Sequence, residues 1–156
     1  MEKHEESLSK ALSNMRIADH MLYVTYPIIK DKRLLLKTLE QVYDSVICTI
    51  NSILYYDYLY KRVQLYPDPR ANFDTFINKC SKRYNITDDD ILAIKELISL
   101  AEMHKKSSAE FTRREKIVIM AESLKTSIID TEKLKKYLNL SKKLVEKAKF
   151  GMNMQE

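Results

Sequence analysis

The chain has 156 residues, of which 31% are charged, with a formal net charge of +5, one Gly, three Pro, two Cys and no Trp. That length suits a single domain, 1–156, able to bury a core without disulfides or metal. So few turn formers argue against an all-β fold, and the long periodic segments make the class mainly α.

The first predicted helix runs from about Glu5 to Tyr26, with Leu8, Leu12, Met15, Leu22 and Tyr26 on one stripe. Asp19 projects near the centre of that stripe, where a carboxylate needs a partner. Arg16, three residues back, and Tyr23, four residues on, are within reach along the helix, and His20 stands one turn from Arg16. Arg16, Asp19, His20 and Tyr23 are the candidate catalytic or binding cluster. The alternative is a structural ion pair beside a surface histidine. Pro27 ends or kinks this helix, and Asp31 is placed to cap the next.

The second helix, 34–63, is the predicted centre of the fold. Between Thr38 and Tyr60 its only charged residues are Glu40, Asp44 and Asp57, while Leu35, Leu39, Val42, Val46, Ile50 and Ile53 recur every three or four residues. Its polar side is made of short groups, so a second backbone is expected to approach there and leave the helix buried nearly all round. Gln41, Ser45, Cys48 and Ser52 are the candidate interface, facing a helix of the same chain or of a second subunit. The helix ends in Tyr55, Tyr56, Tyr58 and Tyr60, with Tyr66 beyond. Beside Lys61, Arg62 and Arg70 these rings suit base stacking, or equally packing at the rim of a bundle.

After the break at Pro67-Asp68-Pro69 a short third helix is expected from Asn72, as cap, to about Arg83. A fourth follows Thr87, whose hydroxyl caps it, with Asp88, Asp89 and Asp90 in its first turn. Three successive helical carboxylates diverge by about 100° each, so they suit the helix dipole rather than a cation. Residues 117–129 are expected to form a small β-hairpin from the β-branched run Ile117 to Ile119 and the segment Leu124 to Ile129, turning at Glu122-Ser123, with a helix as the rival reading. The last helix is capped by Asp130 or Thr131, ends at Gly151 and buries Leu134, Tyr137, Leu138, Leu144 and Val145; Met152 to Glu156 is expected to fray. The whole is an antiparallel bundle of about five helices.

The central apolar run is interrupted at Glu40, Asp44 and Asn51, so no membrane span is expected. The charged N-terminus has no secretory core, which points to the cytoplasm, and Cys48 and Cys80 read as reduced structural thiols. One Gly excludes a P-loop and a dinucleotide fingerprint, and neither HExxH nor a nucleophile elbow occurs, so no cofactor or metal is expected. Residues 1–100 carry 14 basic and 14 acidic side chains, leaving the positive surplus to 101–156. Within that third, Arg113, Arg114 and Lys116, with Lys135, Lys136, Lys142 and Lys143, are the candidate phosphate contacts.

Two long antiparallel helices, shorter helices after a Pro-containing loop, and an amphipathic C-terminal helix resemble the HEPN superfamily of helical bundles over roughly Glu5 to Phe150. The resemblance implies a dimeric bundle. Catalytic members are metal-independent ribonucleases with Arg, four to six residues, then His; Arg16-Ile17-Ala18-Asp19-His20 has three between. The expectation is therefore a non-catalytic homodimer that binds itself or another protein, with an RNA-binding or RNA-cleaving protein acting through Arg16 and His20 as the alternative.

Overall fold

Helix α1 (Lys3–His20) does not stop at Pro27. A π-helical stretch, Met21–Thr25, lets the Tyr26 N–H reach the Met21 carbonyl, and the wider turn carries the helix through α2 (Tyr26–Ile29). Lys30, at φ 57°, then closes it. The structure, a computed structural model, describes residues 2–106, 109–113, 116–120 and 126–154. The N-cap of α3 (Arg33–Leu59) is Lys32 rather than the expected Asp31, which stands one residue further out and whose carboxylate accepts from the Arg33 N–H at 3.0 Å.

α3 is the buried axis. Leu35, Leu39, Val42, Val46 and Ile53 are fully buried, and exposed positions are confined to a narrow stripe through Lys37, Glu40, Asp44 and Asn51. The short polar side admits a neighbouring backbone, and that neighbour belongs to the same chain. Ser45 Oγ donates to the Ala11 carbonyl at 2.8 Å, and Ser52 Oγ to the His4 carbonyl at 2.6 Å. These contacts set α1 antiparallel to α3. Ser141 lies 2.7 Å from Ser45, which brings in α6 (Thr131–Gly151) from the third side.

α4 (Pro69–Thr75) begins three residues before the expected cap. Asp68 accepts from Arg70 N, and Pro69 occupies the first turn, where its missing N–H is harmless. Asn72 instead clamps Tyr66, accepting from its N–H at 2.7 Å and donating to its carbonyl at 2.8 Å. A π stretch (Phe76–Cys80) and a 3₁₀ turn (Ser81–Tyr84) follow. α5 (Asp88–Lys105) starts with the expected Thr87 cap, completed as a box by Asp90.

The expected hairpin is present, as β2 (Lys116–Met120) antiparallel to β3 (Thr126–Ile129), with Ile117 opposite Ile129 and both buried. Its turn at Glu122-Ser123 lies outside the described residues. A further strand, β1 (Ala109–Arg113), pairs with the other edge of β2 and makes a three-stranded antiparallel sheet.

α6 ends at Gly151 as expected, but Gly151 is not the left-handed residue. Asn153, at φ 55°, supplies the left-handed turn, and the Met154 N–H returns to the Lys149 carbonyl at 2.8 Å. Gly151 is needed for space instead, because a Cβ there would collide with the Tyr84 ring. Met152 is buried rather than frayed. All of these helices and the sheet contribute to one hydrophobic core.

Candidate tyrosine–arginine site at the end of the central helix

On α3, Ile50, Ile53 and Leu54 carry the buried stripe toward the C-terminus, and the next inward position holds Asp57. A carboxylate there loses its water, so its neighbours must replace it. Arg62 Nη1 lies 3.2 Å from Oδ1, Arg83 Nη1 lies 2.8 Å from Oδ2, and the Tyr84 hydroxyl donates to Oδ1 at 2.9 Å. The Asp57 side chain is wholly buried, whereas those of Arg62 and Arg83 are 36% and 40% exposed. One carboxylate therefore holds two guanidinium groups side by side at the surface. Its main chain contributes too: Arg62 N donates to the Asp57 carbonyl at 2.8 Å, closing the helix through Lys61 at φ 59°.

Rings surround this node. The Arg62 guanidinium sits 5.9 Å from the Tyr56 ring centre and 5.3 Å from that of Tyr60, near enough for cation–π attraction. His4 meets Tyr56 edge-on at 5.1 Å, and Lys3 lies 5.8 Å from the Tyr55 ring. Tyr58 and Tyr60 are each 55% exposed and Tyr66 is 45% exposed. The inner members are held in one protonation state. Burial, with Asp57 adding to it, pushes the Cys80 thiol up to about 12, and the same causes hold the Tyr84 phenol far above its usual range. Residues 55–84 contain six of the ten tyrosines, with six basic and three acidic side chains, one of which is the buried Asp57.

The residues singled out from sequence lie elsewhere. Asp19 pairs with Lys142 of α6 at 2.6 Å rather than with Arg16. Tyr23 joins the same contact, its ring 5.9 Å from Lys142 and 5.7 Å from Lys135. His20 Nδ1 is 3.2 Å from the Thr25 hydroxyl, and Arg16 and His20 are both exposed. Of the interface candidates, Ser45 and Ser52 are wholly buried within the chain and so have no surface to offer a second subunit. Gln41 and Cys48 are half-buried.

The basic candidates of the C-terminal third are engaged in pairs. Lys135 meets Glu132 at 3.4 Å, Lys136 meets Glu96 at 3.2 Å, and Lys143 and Lys147 converge on the buried Asp90 at 2.7 Å each. Lys116 lies 3.9 Å from Asp130. Arg113 is in β1, opposite Lys116 in register; its side chain and the whole of Arg114 lie outside the described residues.

Asp57 was the functional residue that sequence reasoning passed over. Its signal was present: a lone acid on the apolar stripe of a charge-poor helix implies cations or other donors brought to it from elsewhere in the chain. Among the described residues no group of His, Cys, Asp and Glu is arranged to hold a metal, and no helix is long and apolar enough to cross a membrane. Compared with protein-family models, with curated proteins and with solved structures, the chain matches none.

Proposed function

We propose that this chain is a non-catalytic binding module for single-stranded RNA, with bases stacked on Tyr58, Tyr60 and Tyr66 and phosphates on Arg62 and Arg83. The observation that carries this reading is the buried Asp57 carboxylate gripping two half-exposed arginines beside exposed tyrosines. A guanidinium has five N–H donors, so one gripped by Asp57 keeps others for a phosphate. Because its orientation is already fixed, little side-chain entropy remains to be lost on binding. Exposed rings beside a cationic surface are what a flexible polyanion with planar bases requires. The reading is binding rather than cleavage, since Asp19 is taken by Lys142 and His20 by Thr25.

Fluorescence anisotropy with labelled oligouridine tests this at about 50 and about 200 mM salt. Affinity is expected to fall with salt, and Arg62→Gln combined with Arg83→Gln to make the log–log slope shallower by about 1.4. Tyr60→Ala is expected to cost about 1–3 kcal/mol. A double variant that melts like the wild type and binds as tightly would defeat the proposal, as would absence of binding at low salt.

A specific observation also favours self-association. At the outer end of the first helix Ile28 and Ile29 are 77% and 62% exposed, and Ile17 and Val24 stand exposed on the preceding turns. Several large apolar side chains exposed along one helix are more than single scattered ones, which is the kind of surface that association covers. Light scattering is expected to give a dimer that Val24→Glu with Ile28→Glu dissociates. A monomeric wild type would remove this second reading and leave the first untouched.

A further inference from the structure

Helix α4 ties the tyrosine pole at the end of α3 to a second concave surface. Its Asn72 holds the main chain of Tyr66, and its face through Arg70, Phe73 and Asp74 lines a groove of about 480 Å³ against α3 and α5. That volume is in the range that takes a small planar group. Tyr43 and Ile47 of α3 and Ile98 of α5 lie half-buried along it. The Phe73 ring is steadied by that of Phe76, stacked 6.1 Å away, and a fixed aromatic face of this kind suits a base.

Four charged side chains complete the lining: Arg70 and Lys95, Asp74 and Glu102. With two of each sign the groove does not select an anion. None of the four has an ion-pair partner among the described residues, although Arg70 and Asp74 stand one turn apart on α4. A carboxylate only accepts, whereas a guanidinium or ammonium only donates. The partner that uses both is planar, with two donors along one edge and two acceptors along another. Among the bases this is guanine, whose N1–H and 2-amino group donate to one carboxylate while N7 and O6 accept from Arg or Lys. Adenine and cytosine set an acceptor beside their amino group, and uracil has one N–H between two carbonyls, so none of them gives a carboxylate two bonds at once.

We infer that this groove takes a guanine base of the strand held at the tyrosine pole, an inference that rests on the RNA-binding reading above. The base stacks on Phe73, Glu102 accepts from N1–H and the 2-amino group, and Arg70 donates to O6 and N7. Glu102 faces the floor of the groove: after burial, its charge is the next cause that raises the Tyr43 phenol.

Fluorescence anisotropy of the full chain tests this by comparing oligouridine with the same oligomer carrying one central guanosine. The guanosine strand is expected to bind roughly tenfold tighter, and inosine in its place, which lacks only the 2-amino group, to lose most of that gain. Glu102→Gln is expected to erase the preference without weakening oligouridine, because removing a negative charge does not reduce the attraction for phosphates. Equal binding of the two strands would overturn the inference and leave the RNA-binding reading standing. Failure of both strands to bind would remove that reading and the inference with it. A preference that survives in Glu102→Gln, or that inosine supplies in full, would also overturn the inference.

Discussion

Asp90 is nearly as buried as Asp57, and its surroundings decide its charge. Burial alone would raise its carboxyl, but the Lys143 and Lys147 ammonium groups and the Thr87 N–H hold it well below the ordinary carboxylate range. A carboxyl depressed in the folded state adds stability above its unfolded pKa, near 3.9, and loses it as pH falls toward the folded value. Wild-type unfolding free energy is therefore expected to drop steeply below about pH 4. In Asp90→Asn that drop should be shallower, with stability at neutral pH lower by about 2 kcal/mol, since a capping-box partner and two charge-assisted bonds are lost. Denaturant titrations across the acid range read both effects, and parallel pH curves would contradict this role. The tyrosine pole, with its carboxylate between two arginines, cannot be probed the same way. Removing Asp57 would leave the buried Tyr84 hydroxyl and two part-exposed arginines without their acceptor, at a cost of about 1–3 kcal/mol, which is why the binding tests above alter the arginines.

At the scale of the elements, local signals served where the chemistry was local. Thr87 with Asp90 three residues on was legible as a helix start, and Ile117, Ile119 and Ile129 as the buried side of a hairpin. Asp68 before Pro69 was the better start signal for α4 than Asn72, because a capping acid and a first-turn proline agree. β1 was not seen, as the alternation of Ala109, Glu110, Phe111 and Thr112 is only four residues long and runs into Arg113, and pairing with β2 is what makes the segment a strand. Gly151 shows how a packing constraint can resemble a capping signal. In an open helix Gly→Ala would gain about 1 kcal/mol. Here the new methyl meets the Tyr84 ring, so Gly151→Ala is expected to destabilise by about 1–2 kcal/mol. A urea midpoint shifted upward would contradict this account of α6 against the 3₁₀ turn.

For the whole molecule, periodicity revealed the axis of the bundle but not its partners. The short polar side of α3 correctly implied a close neighbour, but sequence does not distinguish a helix of the same chain from one of another; Ser45 on Ala11 and Ser52 on His4 decide it. Charge was legible as a total and misleading as a map. The surplus falls in the C-terminal third, yet Lys135, Lys136, Lys142 and Lys143 meet acids of α1, α5 and α6. Arg62 and Arg83 converge because the bundle brings the end of α3 against the 3₁₀ turn, 26 residues after Asp57. A contact made by tertiary folding leaves no local spacing to read. Photo-crosslinking with oligouridine carrying 4-thiouridine therefore tests the central claim most directly. Adducts are expected on Tyr58, Tyr60 and Tyr66, and adducts confined to the α6 lysines, or to Arg16 and His20, would contradict it.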